Sequence, residues 1–230
     1  MDGKSEWRGC PAPRPAELCG QMVVLVAFDP DKHGVSVWQA LGGDAAANQR
    51  IGYFPDAPYK DAEHFTQAYA ERQSDWHTMV ICDAQFVIPR GMASYMRMRP
   101  EHGSVEIGAV AHGHAMARTP IATEAHYLLA QHVFDDLGYR RYEWKLNNDN
   151  AASHKAALRL GFTFEGVFRQ DMMTPTGNRD TAWYSMLDGE WPSAKTALET
   201  WLAPDNFTAE GEQRQTLQQL RNTTWQAPSS

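Results

Sequence analysis

The sequence predicts a single α/β domain built on a mixed, mostly antiparallel central sheet flanked by helices. Three observations carry that prediction. Segments with the two-residue period of strands alternate with segments of helical period, in the order βααβββαβαββ. The later strands are separated by helices, as a mixed sheet requires. The helix boundaries carry their own punctuation, with Thr119-Pro120 and Asn150 ahead of periodic runs and Gly138 and Gly161 behind them.

Residues 1–20 are rich in proline and polar side chains and read as a flexible leader, too poor in apolar groups to offset the entropy of ordering. Residues 22–28 are a β-branched apolar run, hence a strand, closed by the turn chemistry of Asp29-Pro30-Asp31. A short helix over 35–41 follows, then a loop over 52–59 dense in aromatics and prolines. The helix predicted over 61–73 sets Phe65, Tyr69 and the stem of Arg72 at helical spacing. Strands are expected over 78–82, 91–98 and 104–111, the last two joined by a hairpin-like loop at 99–103. In the helix over 119–137, Ile121, Ala125, Leu128, Leu129, Val133 and Leu137 form one apolar stripe, with Thr119 as N-cap. Tyr142, Trp144 and Leu146 then alternate with Arg141, Glu143 and Lys145, which is strand period. Asn150 caps a helix that ends at Gly161, and strands over 163–173 and 181–187 are joined across 174–178. The expected domain spans 21–192, and 193–230 forms a C-terminal helix, over 193–202, and a tail.

Composition excludes several classes. A hydrophobic share of 43% with 21% charged residues is that of an ordinary folded protein. No run approaches the roughly 18–20 apolar residues of a membrane span, and no secretory apolar segment opens the chain. The three cysteines, Cys10, Cys19 and Cys82, fit neither a disulfide framework nor a metal-ligand spacing, so no metal is expected. They read as free thiols of a cytoplasmic protein, with an occasional Cys10–Cys19 bond as the alternative. A net charge of −7 argues against nucleic acid as a partner. Oligomeric state stays open, a homodimer included.

The chemistry concentrates between residues 105 and 162. A strand feeding the helix start at Thr119 makes an anion site, because unpaired backbone N–H groups and the positive dipole end face the ligand. A second helix start at Asn150 places the Ser153 hydroxyl one turn in. Together they suit a nucleotide-tailed acyl carrier. No Gly-x-Ser-x-Gly elbow, Gly-x-x-x-x-Gly-Lys loop or His-Glu-x-x-His string occurs, which sets hydrolase and related chemistries aside. His112 and His114 read as solvated loop histidines, and Trp144 and Trp183 as core.

The strings Glu106-Ile-Gly108, Ala122-Thr123-Glu124-Ala125, Asn150-x-x-Ser153 and Leu160-Gly161-Phe162 resemble the GNAT superfamily of acyl-CoA N-acyltransferases. Within it they resemble the branch that contains the ribosomal-protein N-terminal acetyltransferases. The resemblance covers about 22–192 and implies a single GNAT-like domain that uses acetyl-CoA as cosubstrate and an amine as acceptor. It implies Glu106 as the group that takes the ammonium proton and Ser153 as the proton donor to the thiolate. It also implies a cofactor site at Gly108, Ala109, Val110, Arg118, Thr119, Ile121, Ala122, Thr123, Asn150 and Ser153. Tyr53, Phe54 and Tyr59, with Trp76, would line the acceptor pocket. One departure matters: where the family reads Arg/Gln-x-x-Gly-x-Gly/Ala, this chain has Ala117 and Pro120 in the first and fourth places, and only Ala122 matches. Pro120 removes an N–H from the phosphate cradle, so Arg118, Thr119 and Thr123 carry more of the anion. Ala157 stands where many members have a tyrosine. Two alternatives stay open beside these readings: Glu106 as a structural partner of Arg97 or Lys145, and a non-catalytic acyl-CoA sensor on the same fold.

Overall fold

The computed structural model describes residues 7–117 and 119–224. Its sheet has eight strands in the order β1-β2-β3-β4-β5-β6-β8-β7. These are β1 (Glu17–Cys19), β2 (Val23–Ala27), β3 (His77–Asp83), β4 (Pro89–Arg99), β5 (Ser104–His112), β6 (Arg141–Asn147), β7 (Thr163–Thr174) and β8 (Gly177–Leu187). β5 and β6 pair parallel, and every other pairing among the described residues is antiparallel. The helices are α1 (Pro30–Ala40), α2 (Gly43–Arg50), α3 (Ala62–Glu71), α4 (Pro120–Gln131), α5 (Ala151–Leu160), α6 (Trp191–Leu202) and α7 (Leu217–Thr224). The predicted α/β class and the mixed sheet are as observed.

Two cores result from the alternation of side chains along the strands. On one face, Val105, Ile107, Tyr142, Trp144 and Ala182 pack against α4, α5 and α6. On the other, Val80, Cys82 and Met92 meet Trp38, Phe65 and Tyr69 of α1 and α3. Glu124 of α4 is buried, and its carboxylate accepts from the backbone N–H groups of Gln21, Met22 and Val23 at 2.8, 2.8 and 2.9 Å. That fastens the turn before β2 onto α4. None of the helices among the described residues is long and apolar enough to cross a membrane.

Several boundaries differ from the sequence reading. The stretch assigned to a leader carries β1, and Cys10 N donates to Pro100 O at 2.9 Å, so sheet pairing orders residues whose composition alone reads as loose. Asp29-Pro30-Asp31 is not a turn: Asp29 caps α1, its carboxylate accepting from Asp31 N at 3.1 Å, and Pro30 takes the first helical position. Helix α2 has almost no amphipathic pattern and was not expected. Thr119 sits at the N-cap of α4, yet its hydroxyl donates to Met116 O at 2.8 Å instead of capping the helix. The α4 helix continues through a wider turn over His132–Asp136 before Gly138, whose φ is 72°. β8 begins at Gly177, earlier than predicted, because the β7–β8 hairpin turns tightly. The C-terminal tail carries α7, whose Leu217 and Leu220 join the main core.

Candidate active site

β5 and β6 stay in register from Ser104↔Arg141 to Ile107↔Trp144 and then part. Beyond that point Gly108–Val110 and Lys145–Asn147 face a cavity of ≈ 490 Å³. A bulge makes the parting possible. β4 pairs with β5 at Met92↔Ala111 and Ser94↔Gly108, so Ala109 and Val110 oppose one residue, and Ala109 takes a left-handed φ of 47°. Gly108 leaves room for two side chains. A Cβ there would lie 2.5 Å from Met96 Sδ and 3.0 Å from Glu106 Oε1.

Glu106 is 3% exposed and lines this cavity. Its Oε2 accepts from Arg97 Nη1 at 2.5 Å and meets Lys145 Nζ at 3.0 Å. Arg97 reaches it from a second bulge, between Met96↔Glu106 and Arg99↔Ser104, where Arg97 has a φ of 43°. Lys145 also pairs with Glu143 at 2.8 Å and lies 3.8 Å from the centre of the Trp183 ring. Both partners offered by the structural alternative are therefore present. Oε1, however, has no hydrogen-bond partner among the described residues and stands beside the glycine that leaves it room.

Ser153 comes to the same cavity from the first turn of α5. Asn150 caps that helix, its Oδ1 accepting from Ser153 N at 3.1 Å. The hydroxyl oxygen of Ser153 accepts from Trp144 Nε1 at 2.9 Å, which leaves its own proton free to donate. Tyr53, Phe54 and Trp76 form one wall of the cavity, and Asp171, Met172 and Arg179 of the β7–β8 hairpin form another. Tyr59 is not part of the wall. It is 3% exposed, edge-on to Phe65, and its hydroxyl donates to Asp56 at 2.5 Å, holding a residue that does line the cavity. Trp183, read as core, lines the cavity instead.

A second cavity, of ≈ 720 Å³, opens at the start of α4, between it and α5. Thr119, Ala122 and Thr123 line it, while Ile121 packs toward the main core. Arg118 lies outside the described residues. Arg159 of α5 also lines this second cavity: its Nη1 donates to Thr123 Oγ1 at 3.0 Å, and its guanidinium lies 4.7 Å from the Trp201 ring centre. Arg159 and Arg179 are candidate site residues that the sequence reading missed. Arg159 follows Ala156, which lines the same second cavity, by three residues, and that one-turn spacing was a signal. Arg179 carried none. His112, expected to be solvated, is half-buried with its Nε2 3.3 Å from that of His126, and the loss of solvent around it pushes it down to about 4. His114 is exposed, as expected.

A strand edge released from its neighbour offers backbone groups to an amide-rich arm, and a helix start with threonine and arginine suits phosphates. Those are the needs of an acyl-CoA. The sequence profile described as the Acetyltransferase (GNAT) domain matches residues 23–163. The chain belongs to the GNAT family. A GCN5-related N-acetyltransferase from Brucella melitensis is 40% identical, with 94% of this chain and 99% of that one covered and a TM-score of 0.88. A GNAT-family protein from Chromobacterium violaceum is 38% identical over 84% of this chain and 96% of its own, with a TM-score of 0.77. A ribosomal-protein-S5-alanine acetyltransferase from Vibrio fischeri shares the fold at 14% identity, covering 77% of this chain and 99% of its own at a TM-score of 0.60. No curated protein matches the chain. Family membership makes this GNAT protein an acyl-transferring enzyme that uses acetyl-CoA.

Proposed function

We propose that this GNAT protein is a cytoplasmic N-acetyltransferase that moves the acetyl group of acetyl-CoA directly to a primary amine, on a protein N-terminus or a small molecule. One observation carries the reading. Glu106 Oε1 and the Ser153 hydroxyl, an open acceptor and a free donor, line one cavity at the point where β5 and β6 part. Acetyl-CoA supplies an activated acetyl thioester, and Thr119, Ala122, Thr123 and Arg159 would hold its phosphates while Gly108–Val110 and Asn150 hold its arm.

Glu106 binds the acceptor ammonium through Oε1 and takes one proton, leaving a nucleophilic amine. Backbone N–H groups of Gly108–Val110, where β5 has left β6, donate to the carbonyl oxygen as it gains charge. One such donor contributes roughly 3–4 kcal/mol. The C–N bond forms, the C–S bond breaks, and Ser153 gives its proton to the departing sulfur. The nitrogen's second proton restores Ser153 through solvent, and the proton on Glu106 leaves to solvent, so one proton is released per turnover. Tyr53, Phe54 and Trp76 shape the acceptor side.

Release of free thiol from acetyl-CoA, measured with a panel of amines, tests the proposal. Amine-stimulated release is expected. Tight CoA binding with no amine-stimulated release would replace it with the sensor reading.

A further inference from the structure

Arg179 is a buried cation without a counterion. It is 8% exposed, and no carboxylate of the described residues lies within ion-pairing distance of it. Its Nη1 donates to Tyr53 O at 3.0 Å and its Nε to Thr181 Oγ1 at 3.2 Å, which leaves Nη2 unbonded in the lining of the acceptor cavity. Beside it in the same lining, the buried Trp183 Nε1 also lacks an acceptor. Trp183 cannot turn away easily, because its ring is held against Phe168, with centroids 4.5 Å apart, and under Lys145. A buried guanidinium without an anion and a buried indole N–H without an acceptor are each costly. Both costs vanish when one ligand brings a carboxylate. Burial works against the charged form of Arg179, while Glu106 and Asp171 support it, so a further anion completes an incomplete balance.

We infer that the acceptor is a small amine that also carries a carboxylate, which Arg179 Nη2 and Trp183 Nε1 bind while Glu106 Oε1 faces the ammonium. This rests on the N-acetyltransferase reading above and narrows it. The cavity volume suits a small molecule, and the flanking Tyr53, Phe54 and Trp76 suit an apolar or aromatic side chain.

The test compares amines that differ only in the carboxylate, using the full chain and thiol release: L-phenylalanine against phenethylamine, and L-tryptophan against tryptamine. The amino acids should exceed the decarboxylated amines in kcat/KM by roughly 10- to 150-fold, the scale of a charged hydrogen bond. Arg179→Gln should abolish that preference and Arg179→Lys should recover part of it. Because Arg179 also clasps the Tyr53 loop, Trp183→Phe supplies an independent check. It keeps the ring, removes the N–H, and should narrow the preference through KM for the amino acid. Equal use of both members of each pair, or turnover confined to polyamines or peptides, would overturn the carboxylate while leaving N-acetylation intact. Absence of thiol release with every amine would instead overturn the N-acetyltransferase reading itself.

Discussion

Ser153→Ala separates chemistry from structure because the side chain has one partner and one free proton. Trp144 is 4% exposed, and its indole N–H donates to Ser153 Oγ at 2.9 Å. Alanine leaves that donor buried and unpaired, at a cost of about 1–3 kcal/mol. For a domain of this size each kcal/mol lowers Tm by roughly 2–4 °C, so a fall of about 2–12 °C is expected. The helix cap is spared, because Asn150 Oδ1 bonds the backbone N–H of Ser153 and not its hydroxyl. Losing the proton donor should lower kcat by about 10², near the low end for general acids, since a CoA thiolate leaves fairly well unaided. KM for acetyl-CoA should hold. Raising the pH should not restore the rate, because the loss is at the leaving group and not at the amine. Trp144→Phe removes the same hydrogen bond from the other side and keeps the hydroxyl, so it should lose stability while keeping most of kcat. Steady-state kinetics across pH, measured beside thermal melts of all three proteins, decide the matter. If Ser153→Ala melts early yet turns over at the wild-type rate, Ser153 is a support for Trp144 and nothing more.

Three further expectations follow from the geometry. Glu106→Gln should cut kcat by roughly 10²–10⁴ with partial recovery at higher pH, where more of the acceptor is already neutral. A wild-type rate in that variant would return Glu106 to the role of a strap for Arg97 and Lys145. Arg159→Ala should weaken CoA roughly 5- to 150-fold by calorimetry, the equivalent of about 1–3 kcal/mol of lost charged hydrogen bonding, and undiminished affinity would remove it from the phosphate site. The third concerns pH: folded His112 titrates at about 4, because burial disfavours its cation, against about 6.5 when unfolded. The unfolded chain therefore binds the proton first as pH falls. Stability should decline between pH 6.5 and 4, by up to about 3 kcal/mol from this group, and none of that loss is present above pH 7. Denaturation measured at stepped pH should show a flatter decline for His112→Gln, and an unchanged slope would refute the assignment.

The helices and strands that carry the site were legible locally because their signals are local. Asn150 followed three residues later by Ser153, the stripe from Ile121 to Val133, and the alternation from Arg141 to Leu146 each reflect one element's own geometry. What the sequence by itself could not determine depends on residues brought together from far apart. Nothing near Glu17 marks it for a strand, because β1 exists only through its pairing with β2. Composition made His112 look solvated, and only the packing of α4 brings His126 against it. Tyr59, in an aromatic loop, turns inward because the ring cluster of Phe65 and Tyr69 receives it. Glu106 could be weighed as base or as ion-pair partner, but the two bulges that turn Arg97 onto Oε2 and leave Oε1 open are properties of paired strands. Arg179 became visible last, since a buried cation without a counterion is recognised only once every carboxylate around it has been placed, and burial is what makes that deficit costly.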